Sequence, residues 1–176
     1  PNWREMGHAR VLVSRQVPKN SLAFAVFLVD TFCLGVKDVF GLTIAPKMGY
    51  DAMKMMMYMD APPVDCDPHL AHTIIYGGID YARKLGFEPQ EDFAESRAVL
   101  LPEAEIRFDP SVAFGKNGKP IYVQGPDDDA KNKNGWTALM CAASNGKTEA
   151  VQLLIENGAD VHAKANNGAT ALMYAA

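Results

Sequence analysis

The chain has 176 residues, 48% of them apolar and 22% charged, which is ordinary for a compact water-facing protein of one or two units. A net charge of −4 gives no electrostatic footprint for nucleic acid or anionic lipid, and no apolar run reaches the ~18 residues that a bilayer span requires. Three cysteines, an odd and sparse set, suit a reducing cytosol rather than a disulfide scaffold, and no secretory leader is visible at the start.

The first elements are two β-strands, residues 9–16 and 22–30, joined as a hairpin through Pro18-Lys19-Asn20-Ser21. In the first, Arg10, Ser14 and Gln16 fall on one face and Val11 and Val13 on the other. The second is apolar almost throughout, as a central strand would be. Asp30 to Asp38 then places acid, thiol, glycine and lysine close together where a strand meets a loop.

A helix is expected over 47–59, with five methionines between 53 and 59 that serve either as plastic core filling, the favoured reading, or as an adaptable binding surface. Asp67-Pro68 opens the best helix of the front half, running to Lys84-Leu85 and stopped by Gly86. Gly77-Gly78 within it would cost about 1 kcal/mol each in an exposed helix, so another backbone is expected to pack there. A shorter helix is expected over 90–98. Ile106-Arg107-Phe108 and Val112-Ala113-Phe114 read as short strands, and Asn117-Gly118 as the tip of a hairpin returning through 120–123. Residues 1–124 therefore read as an α+β unit with a mainly antiparallel sheet, joined rigidly to the remainder of the chain.

From Gly125 onward the sequence repeats itself with a period of 33. Gly125 falls on Gly158, Asp127 on Asp160, Asn134-Gly135 on Asn167-Gly168, and Thr137-Ala138-Leu139-Met140 on Thr170-Ala171-Leu172-Met173. A fixed period of ~20–50 residues marks stacked helical modules. Thr137 is placed to cap a helix whose Ala138, Leu139, Ala142 and Ala143 form a small apolar face. Gly146 ends it, and Val151, Leu153, Leu154 and Ile155 give a second helix larger apolar side chains. This stretch, NGWTALMCAASNGKTEAVQLLIENGADVHAKANNGATALMYAA, resembles ankyrin repeats, about one and a third of them over 125–176. It departs in having Ala138 and Ala171 where the family usually has Pro, and Met140 and Met173 where it usually has His, at the expense of a rigid turn and a side-chain hydrogen bond.

So short a stack leaves a core open, so further repeats, or the front unit acting as a cap, are expected to cover it, and the sequence reads as part of a longer chain. Nearly all of residues 2–126 are similar to a family of uncharacterised bacterial proteins through LAFAVFLVDTFCLGVKDVFG, LAHTIIYGGIDYARKLGFEPQEDF and FGKNGKPIYVQGP. That resemblance implies a bacterial source and says nothing of a reaction. It also implies that Cys33 and His72 recur.

The ankyrin resemblance implies that the chain binds another protein, with Lys131, Lys133, Asn134, Trp136, Lys164, Asn166 and Asn167 as candidate contacts. Trp136 is the sharpest of them, unless it packs against the front unit instead. The alternative is an enzyme in which Cys33 is activated by His72, with Asp30 nearby and the repeats delivering it to a target. Otherwise Cys33 is a buried small hydrophobe and His72 a hydrogen-bonded helix residue. Cys66, His69 and His72 are weak metal candidates, lacking any zinc-site spacing and lying at the positive end of a helix. Gly115 to Lys119 opens no helix, so it is a turn rather than a phosphate loop, and no cofactor is expected.

Overall fold

A computed structural model describes residues 3–59, 62–121, 135–156 and 158–175. A helical turn, α1 (Trp3–Met6), leads into three strands, β1 (His8–Val17), β2 (Ser21–Asp30) and β3 (Gly35–Pro46), forming an antiparallel sheet in the order β1-β2-β3. Then come α2 (Lys47–Met57), α3 (Pro68–Lys84), α4 (Asp92–Ser96) and two 3-10 turns at Arg97–Val99 and Glu103–Glu105. The repeat region contributes α5 (Ala138–Ser144), α6 (Thr148–Glu156) and α7 (Ala171–Tyr174). Among the described residues no helix is long and apolar enough to cross a membrane.

The uniform apolarity of β2 has the cause anticipated: it is the middle strand, and both of its faces are covered. Ala25, Phe27 and Val29 enter a core shared with Ala9, Val11, Val36 and Val39 and with Ile75 and Ile79 of α3. Phe24 and Val26, which alternate with them, are buried too, and Phe24 meets the Tyr50 ring of α2 edge-on at 5.3 Å.

The third strand was not expected. Asp30 makes the turn into it, its Oδ1 accepting the Phe32 N–H (2.8 Å) and the Cys33 N–H (3.0 Å). Gly35 then takes a positive φ of 67°, letting β3 return with Val36 opposite Val29 and Val39 opposite Phe27. The mixed composition of 30–38 is thus a buried turn and the first residues of a strand. Two register shifts, between Phe24 and Val26 and between Leu28 and Val29, disturb the alternation that would have revealed it.

Asp67 caps α3 as expected, accepting the His69 N–H at 2.7 Å. The glycine pair in α3 admits close neighbours on two sides: a Cβ at Gly77 would come within 2.5 Å of the Phe114 ring, and one at Gly78 within 2.8 Å of Val29.

Two expectations need correcting. Residues 106–108 and 112–114 are not strands. Ile106 and Val112 are buried anchors of an irregular segment, and among the described residues the Asn117-Gly118 turn closes one bridge, Lys116 to Lys119, while 122–123 of the expected return lie outside them. The methionines of α2 do not fill the core either. Met48, Met55 and Met56 are 85, 77 and 70% exposed, because the helix lies on the sheet through Tyr50 and turns them outward; Met59, just past its end, is 76% exposed, and Met53 and Met57 are half-buried.

In the repeats, Thr137 caps α5, with Oγ1 accepting the Met140 N–H at 3.3 Å. Met140 reciprocates through its sulfur, which accepts the Thr137 N–H at 3.5 Å, so the thioether keeps a weak version of the bond that the departure from His was expected to lose. Thr170, one period later, makes no side-chain cap bond. Thr137→Ala should therefore cost about 1 kcal/mol by chemical denaturation and Thr170→Ala close to nothing; equal effects would contradict the difference between the two caps.

A second apolar cluster joins the two halves. Cys33, Ala82 and Phe87 from the front pack with Leu139, Met140, Ala142, Ala143, Ala150 and Leu154 of the repeats. Asn145 Nδ2 donates to the Gly86 carbonyl across the same seam, at 3.2 Å. The expected unit boundary at 124–125, and the passage from 122 into the first repeat, lie outside the described residues.

Candidate partner-binding surface

The finger of the second repeat is built by short backbone bonds. The Ala165 N–H donates to the Ala169 carbonyl (2.9 Å), the Gly168 N–H donates to the Ala165 carbonyl (2.9 Å), and Asn167 Oδ1 accepts the Ala169 N–H (3.1 Å). This Asx turn leaves Lys164, Asn166 and Asn167 on an exposed tip. Gly135, just ahead of α5, lies directly beneath Asn166, with no room for a side chain between them.

That approach brings the two repeats together at an aromatic pair. The Trp136 and Tyr174 ring centroids are 4.2 Å apart at an interplanar angle of 43°. The Tyr174 hydroxyl lies 3.0 Å from Asn167 Nδ2 and 3.2 Å from Asn167 Oδ1, so the amide fixes the phenol from its edge. Trp136 and Tyr174 are each half-buried. Both also pack against the apolar cluster of the seam, to which the front unit contributes Cys33, Ala82 and Phe87. Of the sequence candidates, Trp136, Asn166 and Asn167 come together here, and Lys164 lies on the same finger. Lys131, Lys133 and Asn134 lie outside the described residues.

Tyr174 is not among the sequence candidates. A signal for it exists, since one period earlier the first copy has Cys141 at that place. A small residue became a large aromatic one on the helix after the finger.

The remaining candidates are dispersed. Cys33 is fully buried in the seam beside Ala82, whereas His72 lies ten residues earlier along α3, about 15 Å at ~1.5 Å per residue. His72 is 3% exposed and uses both ring nitrogens: Nδ1 bonds the Pro68 carbonyl, and Nε2 accepts the Leu101 N–H at 2.9 Å. Burial lowers its pKa below 6.5, against the opposing effect of the Pro68 carbonyl. Asp30 lies near Cys33 but is committed to the turn through Oδ1, and burial raises its pKa. His69 Nδ1 accepts the Arg107 N–H at 3.1 Å, and Cys66 is exposed. Among the described residues no three His, Cys, Asp or Glu side chains form a group able to hold a metal ion.

Comparison with known proteins agrees with this geometry. A family model described as ankyrin repeats (3 copies) matches residues 116–176, and these residues are ankyrin repeats. The mouse "Fibronectin type 3 and ankyrin repeat domains 1 protein" is 31% identical over a stretch covering 53% of this chain and 34% of that protein, so the chain spans about a third of that relative. No solved structure matches.

Proposed function

We propose that this chain is a protein-binding module in which residues 1–124 form a fixed cap on the repeats of 125–176, and that the repeats grip another protein through the Trp136 surface. Ankyrin repeats serve protein–protein interaction, and a stiff frame of stacked helices presents exposed side chains at little ordering cost. The observation that carries the reading is the Trp136–Tyr174 pair, pinned by Asn167, at the junction of the two repeats. Large aromatic side chains are the type that dominates interface energetics. Neither nucleic acid nor a membrane is proposed as a partner.

The test is affinity capture with the intact chain, followed by binding measurements on the recovered protein. Trp136→Ala should weaken binding by about 30-fold or more, the effect of losing ~2 kcal/mol at a contact hot spot. A melting-temperature comparison accompanies it. Unchanged affinity with a lowered melting temperature would make Trp136 a packing residue and remove it from the interface.

A further inference from the structure

The segment from Leu100 to Asp109 is attached to the molecule by side chains rather than by a strand ladder. Arg15 of β1 donates through Nη2 to the Leu100 carbonyl at 3.0 Å. The other four attachments come from α3. His72 Nε2 accepts the Leu101 N–H (2.9 Å), and the Tyr76 hydroxyl donates to the Leu101 carbonyl (3.1 Å). His69 Nδ1 accepts the Arg107 N–H (3.1 Å), and Thr73 Oγ1 accepts the Asp109 N–H (2.9 Å). Positions 69, 72, 73 and 76 share one helix face, so a single row of side chains holds the whole segment. Beneath it, Leu100 and Ile106 are buried against the core that contains Ile74 and Ile75.

Two of the four α3 attachments are imidazole nitrogens, which accept a hydrogen bond only while they carry a lone pair. In His72 the bond from Nδ1 to the Pro68 carbonyl puts the ring proton on Nδ1. A second proton must therefore go to Nε2, where the Leu101 N–H already points. We propose that residues 100–109 are a strap latched to α3 by neutral His72, and that acidification releases it. This stands apart from the partner-binding reading, since it rests on none of the residues of the repeat finger.

The charged surroundings reinforce the latch. His72 faces Arg15 from β1 and His69 from its own helix, both of which oppose a positive imidazole, and its ring stacks on Tyr76 at 6.4 Å. On the strap and beside it, Glu103 and Arg97 act on Tyr76 with opposite signs. Because the folded-state pKa of His72 is lowered, the unfolded or released chain binds the extra proton. The contribution of His72 to stability is complete above pH 6.5 and is lost as pH falls below it, with the opening equilibrium rising about tenfold per unit until the folded value is reached.

Backbone hydrogen exchange by NMR between pH 7.5 and 5.5, corrected for intrinsic exchange, tests this on the intact chain. The amides of Leu101, Arg107 and Asp109 should lose about tenfold in protection relative to Phe27 of β2. In the variant His72→Gln a side-chain oxygen replaces the accepting nitrogen and cannot titrate, so protection should stay level. Strap amides that follow Phe27 throughout in the wild type would overturn the proposal, as would a variant that loses protection as the wild type does. Should the variant fail to fold, the wild-type ratio of Leu101 to Phe27 protection across the same pH range decides.

Discussion

Gly35→Ala is expected to destabilise the front unit by about 3 kcal/mol, lowering its melting temperature by roughly 6–12 °C. Two costs combine. The residue has a φ of 67°, where an L side chain is strained by about 1–2 kcal/mol. The new methyl would also stand 2.7 Å from the Gly78 carbonyl oxygen and 2.8 Å from Ala82 Cβ, a crowding worth about 1–3 kcal/mol that α3 relieves only by moving away from the sheet. Gly41→Ala is the control, because it meets nothing within 4 Å and has an ordinary backbone conformation. A Gly35→Ala protein that melts with the control would refute the close crossing of the β3 turn over α3.

Phe87→Ala should be as damaging, but elsewhere. Phe87 is 5% exposed in the cluster that contains Leu139, Met140 and Leu154, and truncating a buried Phe costs about 3–5 kcal/mol. If the front unit caps the repeats, the loss will fall on them: amides of α5 and α6 should lose protection well before those of β2. A short ankyrin stack has little stability without something covering its end, which makes the asymmetry large. Equal loss in both halves, or protection of α5 left as in the wild type, would end the capping idea.

Much of this architecture was legible residue by residue. The Val- and Phe-rich hairpin, the Asp67-Pro68 helix start and the period of 33 each rest on local chemistry, and local chemistry is what a sequence displays. The Gly77-Gly78 pair even foretold a close packing partner, although a ring and a valine take that role as much as a backbone does. β3 escaped because its bulges and its Gly41 and Pro46 scramble the two-residue period. The α2 methionines misled because composition names an apolar stripe without saying which way it faces. The strap was invisible for a different reason: its bonds to α3 join residues 25 to 38 positions apart, between a side chain on a helix and a peptide group in an irregular stretch. Cys33 and His72 lie apart in the fold, one in the seam cluster and one holding the Leu101 N–H, a separation that depends on tertiary packing. At the repeat finger, Trp136 was visible as an aromatic in a turn. Its partner Tyr174 becomes evident only when the two copies are compared position by position.

The placement of Cys33 has a practical corollary. Cys33 is fully buried and belongs to the apolar cluster that draws residues from both halves, so water and electrophiles reach it only when its surroundings open. That burial makes it a built-in gauge of breathing: each alkylation event counts one opening of the cluster, and the labelling rate becomes a clock for how often it opens.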